Sequence, residues 1–184
     1  MAFSPKKLDK IKGMIQSIDA IIDSVQNLEK TYKNQLKKIH PNYKQSAINL
    51  IHYLALREKD SNDLQKNLGN MGLSRLAKNQ GHVLSSLQIN RSILKGFLGE
   101  KIEYSSSSLS VKGSKQMQRS NAKALLGYRT KGRRTRIMVT IPSEAADNYQ
   151  MVENMIASGM NCARINCAHD DKDAWMKMIL HILN

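Results

Sequence analysis

The chain has 184 residues and a mass of 20.8 kDa, enough for one ordinary domain or one domain and part of another. Apolar residues make up 41% and aromatics only 5%, with ten methionines to fill space that rings fill elsewhere, and Lys and Arg outnumber Asp and Glu 29 to 15, a net charge of +14. No apolar run reaches the length of about 18 residues that spans a membrane, no apolar leader follows the start, and two cysteines cannot make a disulfide framework or a structural zinc site. A cytoplasmic, reducing location is therefore expected.

Ser4 followed by Pro5 reads as the start of a helix. Leu8, Ile11, Ile15, Ile18, Ile22, Val25, Leu28, Tyr32 and Leu36 then recur at spacings of three and four, one apolar stripe on a single helix over 5–39. Such a helix is about 50 Å long, and His40-Pro41 ends it. Residues 46–57 form a second helix with Ala47, Leu50, Ile51 and Leu54 on one side. A short helix carrying Leu64 and Leu68 stops at the Gly69-Asn70-Met71-Gly72 run. Residues 80–97 form another, through Val83, Leu84, Leu87, Ile93, Leu94 and Phe97. These segments predict an α-helical bundle with Ile15, Ile18, Ile22, Leu50, Leu54, Leu84 and Leu87 in its core.

Residues 101–137 carry ten basic groups against Glu103 alone. The serine run 105–108 and Gly113 predict a flexible basic linker over about 101–132, with at most a helical turn at 122–126. Concentrated positive charge suits phosphate-rich partners. With no aromatic platform interleaved, nucleic acid is not expected to bind this segment.

After this segment the period changes. Residues 136–141 are a strand candidate bounded by Pro142, residues 147–158 a helix closed by Gly159, residues 161–167 a second strand, and Asp170 caps a last helix with Trp175, Ile179 and Ile182. A β-α-β-α order with short connections makes parallel sheets. Alternation puts Cys162, Arg164 and Asn166 on one strand face and Ala163, Ile165 and Cys167 on the other. The two cysteines therefore cannot bridge each other and are expected as buried thiols. An arginine and an amide side by side near a strand's C-terminal end, with His169 just beyond, suit a bound phosphate, because the guanidinium fork holds two oxygens at once. A strand with one wet face has the same pattern. His40, His52, His82 and His181 show no metal-ligand spacing, and no glycine-rich phosphate loop is present.

The stretches Thr135-Arg136-Ile137-Met138-Val139-Thr140-Ile141 and Gly159-Met160-Asn161-Cys162-Ala163-Arg164-Ile165-Asn166-Cys167-Ala168-His169 resemble the opening of pyruvate kinase. That family begins with a strand of the form R-x-T-K-I-x-x-T-I-G-P and, one helix later, has G-M-N-x-A-R-x-N-F-S-H-G. The helical part is similar to the N-terminal extension of a long bacterial pyruvate kinase-like group, at His40-Pro41, Tyr43, Ser46-Ala47, Asn49 through Arg57, Leu73-Ser74 and His82-Val83-Leu84. Pro142-Ser143-Glu144-Ala145-Ala146-Asp147 resembles the same group.

The resemblance implies a fold: an α-helical bundle N-terminal domain over 1–132, its end a basic serine-rich linker, then over 133–184 the first two βα units of a TIM (β/α)₈ barrel, truncated. It implies that Arg164 faces the phosphoryl group of phosphoenolpyruvate, that Asn166 is a potassium ligand and that His169 lies on the nucleotide side. Ala168 stands where the family has a serine that ligates potassium, and Asp170 where it has glycine. The family's Mg²⁺ carboxylates and phosphoryl-stabilising lysine have no counterpart here. The function implied is an N-terminal fragment of a phosphotransferase that takes phosphoenolpyruvate and ADP to pyruvate and ATP, with Mg²⁺ and K⁺ as the family's cofactors, the fragment alone being inactive. The competing expectation is a non-enzymatic helical interaction module whose basic segment binds a protein or nucleic-acid partner. Neither expectation involves a membrane, and both leave a homo-oligomer open.

Overall fold

The computed structural model describes residues 4–102 and 109–184. By internal contacts the chain divides into two compact units, Met1–Gln116 and Met117–Asn184.

In the first unit, α1 (Pro5–Thr31) starts with Pro5 at its first position, where a missing N–H costs nothing. Ile11, Met14, Ile15, Ile18, Ile21 and Val25 form its buried stripe. The helix expected over 5–39 is divided at Tyr32 from α2 (Lys33–Lys37). Just before the break, Thr31 Oγ1 donates to the Asn27 carbonyl at 3.1 Å, a back-bond that bends helices. His40-Pro41 does more than end a helix. Pro41 is the first residue of α3 (Pro41–Arg57), and His40 Nδ1 accepts from the Asn42 N–H at 3.3 Å. α4 (Asn62–Asn70) buries Leu64 and Leu68, and α5 (Val83–Phe97) buries Val83, Leu87 and Leu94. α3, α4 and α5 each pack on α1, and α3 also packs on α5. Ile15, Ile18 and Leu87 are buried as expected, and Ile22 and Leu84 are packed against this core.

Leu50 and Leu54 are not core residues: they are 56% and 45% exposed. α3 instead turns Asn49, Ile51, His52, Ala55 and Leu56 inward. Its two polar members are satisfied by distant partners. Asn49 Nδ2 donates to the Gln80 carbonyl at 2.6 Å, and its Oδ1 accepts from the Val83 N–H at 3.0 Å, one of the donors a helix start leaves open. His52 Nε2 lies 2.9 Å from Glu29 Oε2.

The basic segment contains α6 (Val111–Leu126), sixteen helical residues where a flexible linker was expected, and the division between the two units falls inside it. It buries no side chain. Its helicity follows from Lys, Gln, Met, Arg, Ala and Leu, which lose little freedom in a helix. The run 104–108, expected as a loop, lies outside the described residues.

The second unit holds β1 (Met138–Thr140), a 3-10 turn at Ser143–Ala146, α7 (Tyr149–Ala157), β2 (Cys162–Arg164) and α8 (Lys172–Leu183). β1 and β2 pair in parallel, Met138 opposite Cys162 and Thr140 opposite Arg164. Ile141, Ala145, Ala146, Val152 and Met178 form a small core, with Ala163 and Ile165 packed on it. The expected opening of a (β/α)₈ barrel is corrected by this arrangement. Among the described residues there is one two-stranded sheet, three residues to a strand, and no barrel unit. Strands this short leave Met138 and Thr140 exposed, whereas a barrel strand is covered on both faces. Among the described residues no helix is long and apolar enough to cross a membrane.

Candidate functional site

The parallel register brings Thr140 beside Arg164 at the C-terminal ends of both strands. The Arg164 guanidinium is exposed, and its Nη1 donates to Thr140 Oγ1 at 3.4 Å. Among the described residues no carboxylate pairs with it. Asn166 follows, half-buried, with Oδ1 turned back to accept from the Ala168 N–H at 3.4 Å. The His169 N–H donates to the Asn166 carbonyl at 3.1 Å, and the His169 carbonyl accepts from Trp175 Nε1 at 2.7 Å. The loop after β2 is thus tied to α8 through the main chain of His169, and the imidazole is exposed.

Asp170 does not cap α8. Asp171 does, its Oδ1 accepting from the Ala174 N–H at 2.9 Å. Asp170 sits at φ 62°, the left-handed region that few side chains other than Asn and Asp adopt readily, and its Oδ2 accepts from Ser143 Oγ at 3.0 Å. The cysteines also depart from expectation: Cys167 is exposed and Cys162 only half-buried.

A cation site does not assemble around Asn166. Its oxygen is engaged by the loop, Ala168 offers a methyl group, and the nearby Thr140 hydroxyl accepts from a guanidinium. These residues do not fit a potassium ion. Among the described residues, no three His, Cys, Asp or Glu side chains converge as metal ligands.

A second cluster escaped the sequence reading. Asn161, directly before β2, accepts on Oδ1 from Arg133 Nη2 at 2.5 Å and from the Ile137 N–H at 3.0 Å, and its Nδ2 donates to Thr130 Oγ1 at 3.1 Å. Arg133 Nη2 also donates to the Gly159 carbonyl at 2.8 Å and to Thr130 Oγ1 at 3.0 Å. Gly159 has φ 99°, and a Cβ there would lie 3.1 Å from Arg133 Nη1. The glycine permits both the turn out of α7 and the close approach of the arginine. Asn161 belongs to the quoted motif, but its partners lie about thirty residues upstream, where sequence spacing gives no signal.

No family model, curated protein or solved structure matches this chain. Arg164 ends β2, Asn166 and His169 follow it in the loop before α8, and the exposed Arg164 guanidinium has no carboxylate partner among the described residues.

Proposed function

We propose that the second unit carries part of the phosphoenolpyruvate-handling surface of a pyruvate kinase-like phosphotransferase. The observation that carries this reading is the exposed, carboxylate-free guanidinium of Arg164, held beside Thr140 at the C-terminal ends of two parallel strands. Ligands of open α/β sheets bind at such ends, and a planar fork is the side chain best suited to two phosphoryl oxygens. The left-handed backbone at Asp170 also supports it, because the resemblance places glycine there, and glycine occupies that region without strain.

Phosphoryl transfer needs positioned cations and positive groups around the moving phosphate, and one arginine binds but does not transfer. Phosphoenolpyruvate at millimolar concentration should shift the backbone amide resonances of Thr140, Arg164 and Asn166 and the Arg164 side chain, saturably. Arg164→Met should abolish these shifts, and Arg164→Lys should weaken them, because a point charge cannot reproduce the fork. Shifts absent from Arg164, or unchanged in Arg164→Met, would refute the reading. The 184-residue chain is expected to form no pyruvate in a coupled assay. Pyruvate formation would overturn the reading of this chain as an inactive fragment.

The second reading, a non-enzymatic interaction module, is favoured by Tyr43, Leu50 and Leu54, exposed at helical spacing along α3. Phosphoenolpyruvate should leave their resonances unmoved under either reading.

A further inference from the structure

The second unit also contains a cleft of about 690 Å³ between the C-terminal half of α6 and the segment that follows it, lined by Arg119, Lys123, Arg129, Arg133, Arg134 and Arg136. No carboxylate lines it. None of the six cations forms an ion pair among the described residues. Two are built into the framework: Arg133 through Asn161, Thr130 and Gly159, and Arg136 through Nε, which donates to the Gly127 carbonyl at 2.8 Å. Gly127 ends α6 at φ 72°, so the chain reverses there and lays 128–136 back toward the helix.

Tyr128 stands in the same cleft and is 76% exposed. Lys123 Nζ lies 4.0 Å from its ring centroid. Its phenol is held below the ordinary tyrosine range by hydrogen bonding to Lys123 and then by that residue's charge. The expectation that this segment lacks an aromatic platform overlooked Tyr128.

We propose that this cleft binds single-stranded nucleic acid, with phosphates on the arginines and an unpaired base stacked on Tyr128. Six cations with no carboxylate partner make an anion site of high local potential, and arginine is the side chain suited to phosphate. The exposed ring decides the class. Stacking requires a base free of its partner, which a duplex does not offer and a strand does. A membrane surface would need several apolar side chains on the cleft wall, and besides Tyr128 only Ala122 and Gly132 among its lining residues are uncharged and non-polar. This inference does not rest on the phosphotransferase reading.

The test is fluorescence anisotropy of the full chain with a labelled single-stranded oligonucleotide, the same sequence as a duplex, and ATP as competitor. The single strand should bind at least tenfold more tightly than the duplex. Tyr128→Leu, at an exposed position where folding is undisturbed, should weaken strand binding roughly tenfold and leave the salt slope unchanged. Arg129→Gln with Arg134→Gln should lower the salt slope by about 1.4, since each phosphate contact to a single strand contributes about 0.7. Lys10→Gln with Lys12→Gln, the same charge change on α1, should alter neither slope nor preference for the strand. Equal binding of duplex and strand, an unaffected Tyr128→Leu, a matching loss in the α1 control, or displacement of the strand by ATP at equal nucleotide concentration would each overturn the proposal.

Discussion

Asn49 and Leu50 are neighbours on α3, and their truncation separates two descriptions of that helix. By apolar pattern Leu50 is core, and Leu50→Ala should cost about 2–5 kcal/mol. In the structure Leu50 is 56% exposed and Asn49 is buried. Asn49→Ala removes the acceptor of the Val83 N–H, which is buried, and the donor to the Gln80 carbonyl, whose residue is exposed. An unsatisfied buried donor costs about 1–3 kcal/mol, and a lost bond whose acceptor can turn to water about 1 kcal/mol. The total is about 2–4 kcal/mol for Asn49→Ala, against about 1 kcal/mol or less for the half-covered Leu50. Urea unfolding followed by far-ultraviolet circular dichroism reads both. If Leu50→Ala costs as much as Asn49→Ala or more, the inward face of α3 assigned here is wrong.

Asn161→Ala should destabilise the second unit by about 2 kcal/mol, because three partly exposed hydrogen bonds are lost and one involves a guanidinium; a loss below about 0.5 kcal/mol would mean that water replaces them all. His82 has its pKa lowered, first by burial and then by Lys115. The unfolded chain therefore takes up this proton first, so the contribution of His82 is complete above the ordinary pKa of 6.5 and is lost as pH falls through its lowered value. The drop in urea midpoint between pH 7 and pH 5 should be smaller in His82→Gln than in the unaltered chain, and an equal or larger drop would contradict the sign.

The helices of the first unit were legible because Ile11, Ile18, Val25, Leu87 and Leu94 repeat at helical spacing and are buried. The helix over 46–57 was also legible, but the inward face of α3 was not, because two of its inward residues are polar. Asn49 and His52 find partners 31 to 34 and 23 residues away, and no local pattern encodes those distances. α6 was hidden for the opposite reason: a helix that buries nothing prints no apolar stripe. Strand alternation was expected to put Arg164 and Asn166 on one face, but β2 ends at Arg164 and Asn166 lies in the loop beyond it. Alternation could not show that Asn166 would turn its oxygen back into its own loop, since that depends on the turn at 167–168. Three-residue strands also carry too little sequence to distinguish a paired ribbon from the start of a closed barrel.

The sheet of two strands has a property that a barrel would abolish. β1 pairs only with β2 among the described residues, so each strand keeps one edge with no strand beside it. Such an edge accepts an extended segment from any source through main-chain bonds spaced about 4.8 Å apart, with little demand on its side chains. What stands beside these edges is charge: Arg136 precedes β1 and Arg164 ends β2. Like charges brought together when two copies meet edge to edge repel across a distance set by ionic strength. Two copies approaching edge to edge would therefore be opposed most strongly in dilute salt, where these charges are least screened.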